Sequence, residues 1–101
     1  GISASMKITD EGYVLLSGSQ VYSKDSNSLG YSLKNLRNKF LSNSNIKKLD
    51  DGNFELIQDL LFTSPSTALA FVLGRNVNGW LYWKNKNGNS LDKVKRQSLN
   101  I

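Results

Sequence analysis

Between residues 75 and 86 the chain sets Arg75, Lys84 and Lys86 around the rings of Trp80, Tyr82 and Trp83, with Asn76 and Asn78 in the intervening turn. Basic groups can hold phosphates while a ring stacks on a base, so this spacing suits contact with a nucleic-acid strand, DNA in the first instance. Lys93, Lys95 and Arg96 extend the positive run. The net charge is +5, and up to Ala70 seven basic residues face seven acidic ones. From Phe71 onward six basic residues stand against Asp92 alone, so the whole excess falls in the last third. A clustered positive field attracts polyanions and steers their approach. The bland alternative is a solvated surface with a basic tail in a Lys-rich, Asn-rich chain.

Other chemistries have little to work with. The 101 residues include no histidine and no cysteine, so thiolate and imidazole metal sites, disulfides and the familiar Ser-His and Cys-His pairs cannot be assembled. Ser64 and Ser66 lack an activating base, and with Pro65 between them they read as helix-capping residues rather than nucleophiles. Asp50, Asp51 and Asp59 match no calcium-loop spacing and read as turn and surface charges. Gly74, Gly79 and Gly88 are spaced as turns, not as a phosphate cradle. No catalytic residue, cofactor or metal is expected.

The elements that position these residues follow from local signals. Ser64-Pro65 is an N-cap followed by proline at the first helical position, and Gly74 can supply the left-handed C-cap. The helix between them is about three turns long. Ala68, Phe71 and Val72 share one face, and the small Ala68 and Ala70 allow close approach, so this helix is expected at the centre of the packing. Asn78-Gly79 is a turn pair, and Trp80 to Trp83 is rich in strand formers. On a strand Trp80 and Tyr82 would share one face and Leu81 and Trp83 the other, one tryptophan anchoring the core and the other covering an edge or left free to stack on a base. A second turn follows at Asn85 to Gly88.

Upstream, Ala4 to Ile8 and Tyr13 to Ser17 flank a turn ending in Gly12 and read as a hairpin, with Gly18-Ser19 bending the chain before Gln20 to Tyr22. Leu29, Leu33, Leu36 and Phe40 recur at helical spacing, giving a first helix that starts between Ser28 and Ser32 and ends before Ser42. Arg37, beside that stripe, is expected to pair internally with Glu55 or Asp59. Ile46 to Leu49 packs an apolar pair while the chain turns, Phe54 to Ile57 is a strand, and Leu60 to Phe62 continues extended into Ser64. Ser90 caps a short C-terminal helix with Leu91 and Val94 inward; the residues after it are expected to fray. The expected fold is α+β, a small mostly antiparallel sheet of the hairpin, the Phe54 strand and the Trp80 strand, with two main helices on one face. Residues 1–101 make a single domain. Gly1 in place of methionine suggests an excised, C-terminal piece of a longer protein.

The run S-P-S-x-A…V-L-G-R-x-x-N-G-W-x-x-W-K, from Ser64 to Lys84, resembles the signature of a small uncharacterised bacterial domain family found C-terminal to GIY-YIG nuclease domains and near restriction-modification methylases. It is similar to the restriction-enzyme adenine-methylase-associated (RAMA) domain. Gly12 to Ser19 fits the G-x-x-x-x-x-G-S strand that opens such domains, and Leu36 to Leu41 their first helix; the resemblance covers residues 12–93. Leu69 departs from it, standing where a small residue is expected. The resemblance implies a non-catalytic accessory module that binds nucleic acid and works beside a nuclease or methylase domain, in the same or a partner chain. The other reading is a protein-interaction or structural module docking on that catalytic domain. No apolar run approaches the ~20 residues of a membrane span and no signal-peptide pattern opens the chain, so a cytoplasmic location without membrane contact is expected.

Overall fold

Helix α2 (Pro65–Leu73) is the centre of the molecule, and its ends are set by residues next to it in sequence. Ser64 is extended at the N-cap and its side chain accepts the Thr67 N–H, Pro65 takes the first turn, and Gly74 closes the helix in the left-handed region at φ 70°. Pro65 and all of Ala68 to Val72 are buried, Leu69 included, so the helix has no solvent face of any width. It contacts two sheets and both other helices. The computed structural model describes residues 2–42, 46–85, 87–91 and 93.

The chain is α+β, with its strands in two three-stranded antiparallel sheets rather than one. The first has the order β1-β2-β6: the hairpin β1 (Met6–Thr9) and β2 (Gly12–Leu15) as expected, with β6 (Leu60–Phe62) against β2. Tyr13 pairs with Phe62 and Leu15 with Leu60, so the rows through Leu15 and Phe62 face α2 while Lys7, Val14 and Leu61 point away. The second has the order β3-β5-β4, built from β3 (Gln20–Val21), β5 (Phe54–Leu56) and β4 (Ile46–Lys48). Segment 46–48, expected to turn, is a strand because Ile46 opposite Leu56 buries both side chains. The sharp change of direction at Gly18-Ser19 carries the chain from one sheet to the other, the Gly18 N–H reaching the Leu56 carbonyl at 2.8 Å.

Helix α1 (Tyr31–Leu41) begins and ends within the expected limits and packs Phe40 edge-on against Phe71, ring centroids 6.0 Å apart. Arg37 projects from the same helix into the interior. It is fully buried, and its Nε meets Asp25 Oδ1 at 2.5 Å, so the internal partner is Asp25 and not Glu55 or Asp59. Its two terminal nitrogens donate to the carbonyls of Phe71, Tyr22 and Lys24. Asp59 instead accepts the Ser17 N–H at 2.8 Å, and Glu55 lies in the outward row with Gln20 and Lys47. Phe71 belongs to the last turn of α2, where carbonyls lack helical partners, so Arg37 closes the end of one helix from the body of another.

Candidate nucleic-acid interface

The segment after α2 does not form the expected aromatic strand. Gly79–Tyr82 is a short helix, α3, capped by Asn78 Oδ1 on the Trp80 N–H at 3.1 Å. Two contacts seat it on the first turn of α2: the Gly79 N–H donates to Ser66 Oγ at 2.9 Å, and Trp83 Nε1 donates to the Pro65 carbonyl at 2.9 Å. A Cβ on Gly79 would lie 2.3 Å from the Pro65 carbonyl oxygen and 2.6 Å from the Ser66 nitrogen, so only glycine admits this approach. Ser64 and Ser66 are thereby both occupied in holding backbone. Gly79→Ala should cost about 1–3 kcal/mol in a denaturant melt by forcing backbone apart. Gly30→Ala, with nothing within 4 Å, is the control and should stay within about 0.5 kcal/mol.

Helical geometry redistributes the rings. Trp80 packs edge-on against Tyr13, ring centroids 6.2 Å apart, and is half-buried. Trp83 is half-buried against the core, while Tyr82 and Leu81 are 60% and 54% exposed. Asn76 reaches back to the Ser28 carbonyl at 2.8 Å, so both asparagines of the turn hold the loop in place. That loop runs from the C-terminal end of α2 back to its N-terminal end, leaving Arg75 at one end and Trp83 with Lys84 at the other. Nine residues of helix separate them by roughly 14 Å. The structure thus brings Trp83 and Lys84 together and sets Arg75 apart. Arg75 and Lys84 are both exposed, and the one ion pair among the described residues is that of Arg37 with Asp25. Lys93 is exposed, its Nζ 3.4 Å from Asn89 Oδ1, and its N–H donates to Ser90 Oγ, a cap of the kind expected there. Lys86, Lys95 and Arg96, and Val94 of the expected C-terminal helix, lie outside the described residues.

Sequence reasoning missed the partner of this surface. A groove of about 320 Å³ lies between the N-terminal strand and the segment following α3. Ala4, Met6 and Ile8 line one side; Trp83 and Leu91 belong to the other, joined by Lys84. The alternation of Ala4, Met6 and Ile8 was the available signal, since it places all three on one face of an extended chain. Among the described residues no group of three or more Asp or Glu gathers as a metal site, and no helix is long and apolar enough to cross a membrane.

A family model for a domain of unknown function, DUF4357, matches residues 1–95. The chain belongs to the DUF4357 family. The match takes in both sheets, all three helices and the groove, and extends the resemblance noted from residue 12 to the N-terminal strand that forms one wall. No curated protein and no solved structure matches this DUF4357 chain.

Proposed function

We propose that this domain is a non-catalytic accessory module that binds nucleic acid, DNA in the first instance, and serves a nuclease or restriction-modification methylase domain in the same or a partner chain. The observation that carries the reading is the pair of exposed cations, Arg75 and Lys84, with no ion-pair partner among the described residues, on either side in sequence of the exposed ring of Tyr82. The roughly 14 Å of helix between them corresponds to about four steps of one strand at 3.4 Å rise per step, so the two cations would meet different phosphates. The excess of positive charge in the last third supports the same reading, and the resemblance to nuclease- and methylase-associated domains supplies the catalytic partner. Cytoplasmic action beside DNA belongs to the proposal.

Titration with labelled single- and double-stranded DNA at two salt concentrations tests it. Each neutralised phosphate adds roughly 0.7–0.9 to the salt slope, so Arg75→Ala with Lys84→Ala should flatten the slope by about one to two units while the melting temperature holds. A double variant with the parental affinity and slope would remove this surface from consideration. One observation favours a second reading: Leu81 and Tyr82, adjacent and more than half exposed, offer apolar area for docking on a partner catalytic domain. Absence of salt-sensitive DNA binding would put that reading ahead. The module is proposed to lack nuclease activity of its own, which incubation of repurified protein with DNA and Mg²⁺ checks by the absence of cleavage.

A further inference from the structure

We infer that the groove between β1 and the segment after α3 is a subsite for one unpaired base of a DNA strand whose adjoining phosphate is held by Lys84; this rests on the nucleic-acid reading above. The shape of the groove decides the size of its occupant. Ala4, Met6 and Ile8 line it as alternate residues of one extended segment, with Ser5 between them at its border. At about 320 Å³ it lies at the lower end of the clefts that take small planar ligands.

The chemistry of the lining then favours a base. Trp83 is immobilised before any ligand arrives: its Nε1 donates to the Pro65 carbonyl, its N–H to the Gly79 carbonyl at 3.0 Å, and its own carbonyl accepts the Leu91 N–H at 2.9 Å. A ring held this way stacks without an ordering cost. Met6 opposite is an adaptable apolar contact. Asn85 Oδ1 is engaged by the N–H groups of Asn87 and Asn89, each at 3.0 Å, which leaves its Nδ2 without a partner among the described residues. That amide is a donor for the ring-nitrogen and carbonyl acceptors that bases carry. Exposed Lys84 lines the same groove, placing a cation where the sugar-phosphate of an inserted nucleotide must run.

The test compares an oligo-dT strand with an abasic strand of the same length, by fluorescence anisotropy at two salt concentrations. The phosphates are equal, so the salt slopes should match, while the base-bearing strand binds about tenfold more tightly from one stacked base. Ile8→Trp fills the groove from a half-exposed strand position, and Ala4→Trp fills it from the same face of the segment. Each folded variant, checked by thermal melting, should bind oligo-dT only as well as the abasic strand, with the slope unchanged. Equal binding of the two strands by the parental protein, tighter binding of duplex than of oligo-dT, or a base preference that survives groove filling would overturn the subsite and leave the broader reading standing. Absence of salt-sensitive binding to any strand would overturn both.

Discussion

Arg37→Met should destabilise the domain by about 3–5 kcal/mol, seen as an earlier midpoint in denaturant unfolding with little change in slope. The guanidinium is fully buried and joins three parts of the chain at once: the Asp25 carboxylate, the Tyr22 and Lys24 carbonyls, and the Phe71 carbonyl at the end of α2. Methionine keeps the stem and its packing but withdraws every donor, so the buried Phe71 carbonyl loses its donor where water does not reach, and Asp25, which is partly exposed, loses its cation. Leaving such groups unpaired costs far more than the net worth of the bonds themselves. Gly74 tightens the arrangement further, since a Cβ there would lie 2.2 Å from the Lys24 carbonyl oxygen and 3.0 Å from an Arg37 terminal nitrogen. Arg37→Lys should recover only part of the loss, because one ammonium cannot present a planar fork to partners on several sides. A variant with an unchanged midpoint would show that these carbonyls find water when the arginine is gone.

Phe71→Ala should lose a similar 3–5 kcal/mol, the transfer of a large ring together with the cavity it leaves. The ring is fully buried and meets Phe40 of α1 at 6.0 Å and Phe62 of the first sheet at 5.4 Å between centroids, so it is the contact through which the first helix and the hairpin sheet share one core. For a domain of this size the loss corresponds to a drop of at least ~12 °C in Tm. Phe71→Leu, which keeps most of the volume, should lose less than half as much. Because the carbonyl of this residue is also an Arg37 acceptor, the double variant Arg37→Met with Phe71→Ala should fall short of the sum of the two single losses. A melting shift near zero for Phe71→Ala would mean that the ring does not bridge the helices and the sheet.

The sequence by itself determined those elements whose cause is local. Ser64, Pro65 and Gly74 bound α2 wherever it is placed, because a cap satisfies backbone groups within a few residues of itself. The Leu33, Leu36 and Phe40 stripe likewise marks α1, and Gly12 the first hairpin. The α+β class followed from these. Tertiary structure alone decided the state of residues 79–82. Strand-forming side chains are outweighed there by the seat on α2, where the Gly79 N–H and the Trp83 indole find acceptors that a strand in that place would not reach. It also decided which cations meet which rings: the expectation of one patch assumed a tight turn, whereas the loop retraces α2 and leaves Arg75 a helix-length from Lys84. Arg37 shows the same division. That a buried arginine needs an internal carboxylate could be read from its place beside an apolar stripe, but the choice of Asp25 over Glu55 and Asp59 depended on how segment 22–25 folds over the end of α2. The groove is the most non-local feature of all. One wall comes from residues 4–8 and the other from Trp83, Lys84, Asn85, Asn89 and Leu91, each ordinary in its own segment, and only their juxtaposition makes a concavity with apolar strand side chains on one side and a fixed ring beside an exposed cation on the other.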